Sequence, residues 1–174
     1  MFVTNHVLAG ALVGLALPDN PGQALVGGAA SHVVMDLTPH CGDGTLTEDE
    51  FFVIARRDGL VALGVLAAVM AATPAPRRSV VAGVVGAVLL DLDKPCKRFF
   101  GVDPFPRPVS RFHHWIQNEA PHRVPHEMGA GGVLALATVG GLIGRRWRTR
   151  STRTTSTSTT GPSTTSTTRK ARVA

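Results

Sequence analysis

The sequence predicts an all-α fold: an integral membrane bundle of four to five short hydrophobic helices, followed by a disordered C-terminal tail. Three observations carry that prediction. Apolar runs rich in Ala, Val, Leu and Gly recur at 7–17, 24–37, 60–72, 80–92 and 130–144. The runs are apolar on all sides instead of striped, the pattern of helices surrounded by lipid or by other helices rather than half in water. Finally, the composition changes at Arg145: residues 1–144 hold 10 Lys+Arg against 12 Asp+Glu, whereas 145–174 hold 8 Lys+Arg and no acid. The formal charge of +6 is therefore a property of the tail, and the charge offers nucleic acid a partner only there. The chain divides into a helical membrane domain, 1–144, and a basic Ser/Thr-rich tail, 145–174.

The first run opens on Asn5 and His6 with no Lys or Arg before it, which is unlike a secretory signal and reads as a retained helix. Gly10 and Gly14 form a GxxxG pair there, a spacing that lets helix backbones approach closely. "PDNPG" at 18–22 turns this helix into the next as a hairpin. The second run carries His32 and Asp36, which lie one turn apart on one helix face. Pro39 ends that helix, so His40 belongs to the following turn. "TPAPRR" at 73–78 separates the third run from the fourth, which ends in Asp91 and Asp93.

Residues 94–128 read as one long irregular connection, with prolines at 95, 104, 106, 108, 121 and 125 and four of the seven histidines. A connection of that length inside a compact domain is usually functional. His113 and His114 are adjacent and point different ways, which assigns one of them to the surface, and His122 and His126 fall in a Pro-containing loop. The fifth run contains a second spaced pair, Gly140 and Gly144, and ends in "RRWR", a cytoplasmic boundary by the positive-inside rule. At about 1.5 Å per residue the runs cover roughly 17 to 23 Å, somewhat less than a bilayer core demands. The tail holds too few apolar residues to offset its ordering entropy.

Ionisable residues inside apolar runs are costly and are usually there for a reason. Here His32, Asp36 and Asp91 lie within the runs and His6 opens the first; with His40 from the turn after the second run and His113 from the 94–128 connection they form a candidate ligand set for a divalent metal such as zinc, which accepts imidazole and carboxylate. Such an ion makes hydroxide available near neutral pH, and Asp36, Asp91 and His113 are the candidate acid and base groups. Each piece also has a plainer reading: His32 and Asp36 as a hydrogen-bonded pair between helices, Asp91 and Asp93 as helix-end charges near Lys94. The competing class is therefore a non-catalytic membrane protein whose polar cluster fixes helix packing or binds a partner. Cys41 and Cys96 are too few for a disulfide framework, and nucleophile elbow, phosphate loop and CxxC motif are all absent from the sequence.

"TNHVLAGALVGLAL", "ALVGGAASHVVMDLTPH", "GAVLLDLDKP" and "FHHWIQN" together resemble the bacterial family of small membrane-bound metal-dependent hydrolases, which includes LexA-binding, inner-membrane-associated members. The resemblance spans roughly residues 4–128, and "SHxxxDxxPH" is its most specific element. It maps His6, His32, Asp36, His40, Asp91, less surely Asp93, and His113 onto the family's motif positions. The chain departs from the pattern at Leu90, where a proline is expected, and at Gln117, where a second histidine is expected, leaving His114 or His122 to substitute. "HRVPHE" only echoes a longer family element, without its Gly, Thr and Ser. The resemblance implies hydrolysis of an ester or phosphoester, with membrane lipid as the nearest substrate. It also implies an inner-membrane location, and the tail's charge puts the tail in the cytoplasm.

Overall fold

The computed structural model describes residues 1–42, 47–120 and 122–157, and among them the chain is all-α. The helices are α1 (Val3–Ala16), α2 (Pro21–Leu37), α3 (Glu48–Ala72), α4 (Arg78–Val88), α5 (Asp93–Phe100), α6 (Arg107–Ile116) and α7 (Val124–Thr157). A single 3-10 turn, Leu90–Leu92, follows α4. The one extended pairing joins β1 (His40–Cys41) to β2 (Glu119–Ala120), parallel, with His40 opposite Glu119. The five apolar runs fall in α1, α2, α3, α4 and α7, although the fourth run outlasts its helix by the 3-10 turn that carries Asp91.

Local chemistry explains the helix starts. The Asp58 carboxylate on α3 accepts the Val3 N–H at 2.6 Å and the Thr4 N–H at 3.3 Å, placing negative charge on the unpaired donors at the start of α1. Asn20 caps α2 by accepting the Gln23 N–H at 3.0 Å, with Pro21 in the first helical position, where its missing N–H costs nothing. Thr47 and Glu50 form a reciprocal capping box on α3. α5 stops at Gly101, which takes a left-handed φ of 67°, a conformation that glycine adopts without penalty.

Much of the irregular connection expected over 94–128 is instead helical, in α5, α6 and the first turn of α7, with 101–106 left as a non-helical link. Three of the six prolines that suggested irregularity sit where helices tolerate them. Pro95 lies in the first turn of α5, Pro108 in the first turn of α6, and Pro125 is the second residue of α7. A first-turn proline removes no intrahelical bond.

α1 lies at the centre, packed against α2, α3, α4 and α7. Val7, Ala11 and Leu15 of α1 meet Ala62 and Val69 of α3, Val80 and Val84 of α4, and Leu142 of α7. α4 is wedged between α1 and α2 with almost no side chain between the backbones. A Cβ on Gly10 would lie 2.5 Å from the Gly83 carbonyl oxygen and 2.7 Å from the Val84 Cα. Cβ atoms on Gly28 and Gly83 would strike the Gly83 and Gly10 carbonyls, and one on Gly86 the Leu25 carbonyl. Gly10 and Gly14 thus serve the close approach that their spacing suggested. Gly140 and Gly144 do not, since both face open space.

At the end of the bundle remote from Asp36 and Asp91, Ser79 donates to the Pro18 carbonyl at 2.8 Å. There too, Arg145 donates to the Pro76 carbonyl at 2.8 Å and Arg146 to the Ala72 carbonyl at 3.0 Å. The two arginines satisfy carbonyls at and beyond the end of α3, where the helix itself offers no partner. α7 continues past them to Thr157, across the boundary expected at 144. The rest of the expected tail, 158–174, lies outside the described residues.

The glycine contacts predict opposite outcomes for one substitution. Gly83→Ala is expected to destabilise the fold by about 1–3 kcal/mol through forced separation of α4 from α1 and α2. Gly140→Ala, in open space, is expected to stabilise it by about 0.5–1 kcal/mol through helix propensity. Thermal unfolding followed by circular dichroism in mild detergent checks both.

Candidate metal centre

Four helix ends deliver the polar residues to one place. His6 comes from the first turns of α1, His32 and Asp36 from the last turns of α2, Asp91 from the 3-10 turn after α4, and His113 from α6. All five are buried, with His6, His32 and Asp36 fully so. Ligand atoms of His32, Asp36, Asp91 and His113 lie within 4.8 Å of one another.

The inner triangle is tighter than that limit. His32 Nε2 is 3.1 Å from Asp36 Oδ2, His113 Nε2 is 3.5 Å from the same oxygen, and the two Nε2 atoms are 3.3 Å apart. Four ligands at about 2.0–2.1 Å around a tetrahedral ion are separated from each other by about 3.3 Å. The three atoms therefore already stand at metal-ligand spacing. Asp91 lies at the fourth side, its Oδ1 3.9 Å from His113 Nε2.

The imidazoles are held so that the correct nitrogen faces inward. His32 Nδ1 lies 2.7 Å from the Ala87 carbonyl, and a carbonyl can only accept, so Nδ1 carries the proton and the lone pair of the neutral ring is on Nε2. The Ala87 carbonyl is available because α4 ends one residue later and its last carbonyls have no intrahelical donor. His113 turns Nδ1 toward Asp93, at 3.6 Å from Oδ1, and Nε2 into the cluster. A carboxylate behind a ligating imidazole is the usual way of fixing both its tautomer and its orientation.

His6 stacks on His32 with ring centroids 4.3 Å apart, and its Nε2 lies 3.2 Å from Asp36 Oδ1 and 3.7 Å from Asp91 Oδ2. Neither approach has hydrogen-bond geometry, so both His6 nitrogens and Asp91 Oδ2 are buried polar atoms without a hydrogen-bond partner among the described residues. Buried polar atoms left unpaired are costly, and several of them facing one small volume fit a cation between them. The donor set, two imidazoles and two carboxylates, is of the kind that zinc takes.

Lys94 and Lys97 close the cluster from α5. Lys94 Nζ donates to Asp91 Oδ1 at 2.9 Å, and Lys97 Nζ to Asp93 Oδ2 at 3.0 Å. Burial raises the Asp93 carboxyl, but His113 and Lys97 outweigh it and hold it at about 2. Burial likewise pulls the His113 imidazole down, but the carboxylates of Asp36 and Asp93 overcome this and raise it to about 9.

The residues expected from the sequence are brought together unequally. His32, Asp36, Asp91 and His113 form the group, and His6 lies against it. His40 is buried nearby but outside the group, because Pro39 ends α2 and His40 enters β1. Its backbone N–H donates to the Asn118 carbonyl at 3.0 Å and its Nδ1 lies 2.9 Å from the Thr38 carbonyl. His114, His122 and His126 are exposed. Cys41 and Cys96 form no disulfide. Gln117, where a second histidine was expected, does reach the cluster edge, with an amide atom 3.2 Å from His113 Nε2.

Two carboxylates that sequence reasoning passed over position the site. Asp58 seats the start of α1, and Glu127 joins three segments. Glu127 Oε1 accepts the Cys41 N–H at 2.6 Å, its Oε2 accepts the Phe2 N–H at 2.5 Å, and its backbone carbonyl accepts from Asn5 Nδ2 at 3.1 Å. An acid in the first turn of an apolar helix was the available signal for Glu127. No family model, curated protein or solved structure matches this chain.

The elevated His113 pKa sets a pH dependence for the metal-free chain. A group raised above its unfolded value, about 6.5 for histidine, contributes stability that is complete below that value and is lost as pH rises through the folded one. Chelator-treated protein is therefore expected to lose thermal stability between pH 6.5 and about 9, and His113→Gln to lose that slope. Melting temperatures across this window check it.

Proposed function

We propose that the protein is a membrane-bound, metal-dependent hydrolase acting on an ester or phosphoester bond, with membrane lipid as the substrate source. The observation that carries this reading is the triangle of His32 Nε2, Asp36 Oδ2 and His113 Nε2, with sides of 3.1, 3.3 and 3.5 Å and the far imidazole nitrogens directed at Ala87 and Asp93. Three protein ligands with a fourth position left for chemistry is the arrangement of catalytic zinc sites. A divalent ion held there supplies a Lewis acid and hydroxide near neutral pH.

The chain's own residues then have separate tasks. His32, Asp36 and His113 hold the ion. Asp91, with Oδ1 engaged by Lys94 and Oδ2 unpaired, accepts a proton at Oδ2 as general base. His6, 3.7 Å from that oxygen, is the next group along for the proton.

The membrane placement rests on α7. Its segment Val124–Arg148 has 25 residues, is apolar enough to cross a bilayer, and only 17% of its hydrophobic window is buried, which is unlike the core helix of a water-soluble bundle. Its ends carry Glu127, Arg145, Arg146 and Arg148, and at about 1.5 Å per residue the uncharged stretch 128–144 between them covers about 25 Å, close to the roughly 30 Å of a hydrocarbon core. Val133, Leu136, Val139 and Ile143 all present more than half of their surface outward, as lipid-facing residues would. Glu127 near the start of this span bonds Phe2 and Cys41, so the His/Asp cluster belongs at one membrane face. Under the positive-inside rule Arg145 and Arg146 favour their end of α7 as the cytoplasmic one, while Lys94, Lys97, Arg98, Arg107, Arg111 and Arg123 at the cluster end weigh against it.

One observation favours a second reading, a non-catalytic membrane protein whose cluster is a helix clamp. A His113 imidazolium between Asp36 and Asp93, raised to about 9, would neutralise the cluster without metal.

Metal analysis after purification in mild detergent without chelator separates the two. Stoichiometric transition metal is expected in the wild type and its loss in His32→Ala/Asp36→Ala. Asp91→Asn is expected to retain the ion while lowering metal-dependent hydrolysis of p-nitrophenyl esters and phosphoesters by about a hundredfold or more. A metal-replete wild type that holds no ion leaves the clamp as the correct account.

A further inference from the structure

The outer face of α6 does none of the work described so far, yet its composition is specific. Successive helix residues are turned by about 100°, so Arg107, Arg111 and Trp115, spaced by four, run along one side of α6, with Phe112 beside them. His113 and Ile116 occupy the opposite, buried side. Trp115 is 75% exposed. On the preceding helix Phe99 and Phe100 are equally bare, at 73% and 74%. A shallow hollow of about 580 Å³ is lined by Asp103, Phe105, Arg107, Ser110 and Arg111. Its one carboxylate is engaged by Lys97 at 3.1 Å, which leaves the guanidinium groups to set its sign.

Large aromatic side chains in the open beside arginines are unfavourable in water alone, and each half of the pattern calls for a different partner chemistry. Tryptophan and phenylalanine settle at the level between headgroup and acyl chain, while arginine pairs bidentately with phosphate. A surface of anionic phospholipid offers both at once. Position agrees with composition, because the apolar span of α7 opens at Val124, shortly after α6 ends at Ile116.

We propose that the outward face of α5 and α6, with Phe99, Phe100, Arg107, Arg111, Phe112 and Trp115, docks on anionic phospholipid at the bilayer surface. This seats His113 directly behind the headgroup layer. The inference rests on the membrane placement proposed above and is independent of the metal.

The test uses the full chain carrying Trp147→Phe, so that Trp115 is the one remaining tryptophan, reconstituted into vesicles of phosphatidylcholine or of equimolar phosphatidylcholine and phosphatidylglycerol. In the anionic vesicles Trp115 emission is expected to shift to the blue, to lose accessibility to acrylamide, and to be quenched by lipids brominated high on the acyl chain. The preference for anionic over neutral lipid is expected to fall about fivefold for each arginine neutralised in Arg107→Gln and Arg111→Gln, with helical circular dichroism unchanged.

Trp115 that stays accessible to acrylamide in both vesicles overturns the proposal. So does equal lipid quenching in the two, since the arginines then select nothing. Shielding from both acrylamide and brominated lipid also overturns it and assigns the face to a protein, including a second copy of this chain. Metal content measured on the same preparations keeps the readings apart: a loaded chain with wet Trp115 loses the docking face alone, and a metal-free chain with lipid-quenched Trp115 loses the hydrolase alone.

Discussion

The contact of three helix backbones at Gly10, Gly28 and Gly83 is the constraint on which the other features depend. Only hydrogen atoms separate α4 from α1 and α2 at these positions, so the helices meet at distances that no alanine-lined interface permits. Their ends therefore converge, and the polar residues at those ends converge with them. His6 lies one helical turn before Gly10, His32 one turn after Gly28, and Asp91 shortly beyond Gly86. A wider bundle built from the same residues would leave His6 and Asp91 too distant to share a centre with Asp36. Packing by small residues, an ordinary device between apolar helices, here sets the spacing of ionisable groups.

The convergence creates an electrostatic problem that α5 and α6 resolve. Asp36 and Asp91 are buried carboxylates within a few ångströms of each other, and burying charge without compensation is among the costliest acts in folding. Lys94 and Lys97 approach from α5 and His113 from α6, so the short helices act as the positive cover of a negative floor. The β1–β2 pairing and the Asn118 bonds to the Asp36 and Leu37 carbonyls, at 2.9 and 3.0 Å, stitch this cover to the end of α2. Beneath this cover both His6 nitrogens and Asp91 Oδ2 remain buried without a hydrogen-bond partner among the described residues.

Much of this was legible in the residues, for physical reasons that also explain what was not. Hydrophobic runs broken by "PDNPG" and "TPAPRR" disclose helices and turns because local backbone chemistry decides them. The four-residue spacing of His32 and Asp36 discloses a shared face because helix geometry is fixed. α5 and α6 were hidden because prolines read as breakers unless their position in the first turn is known, and that position is settled by neighbours far along the chain. His40 was drawn into the ligand set by proximity in sequence, while the strand pairing with Glu119 that turns it aside is long-range. The support from Ala87 is a backbone carbonyl, and no side-chain pattern announces it. Gln117 counted against the site as a missing histidine, yet its amide stands at the cluster edge.

The Glu127 carboxylate has a meaning in time as well as in space. It accepts amides from Phe2 and Cys41, partners separated from it by 125 and 86 residues. Until α7 has arrived, the entry to α1 and the exit from α2 each keep an unsatisfied donor beside the ionisable cluster. Contacts of such sequence separation form late, because the intervening chain must be ordered before they close. α7 supplies none of the clustered His and Asp side chains; what it completes is the pairing of the Phe2 and Cys41 amides that flank them.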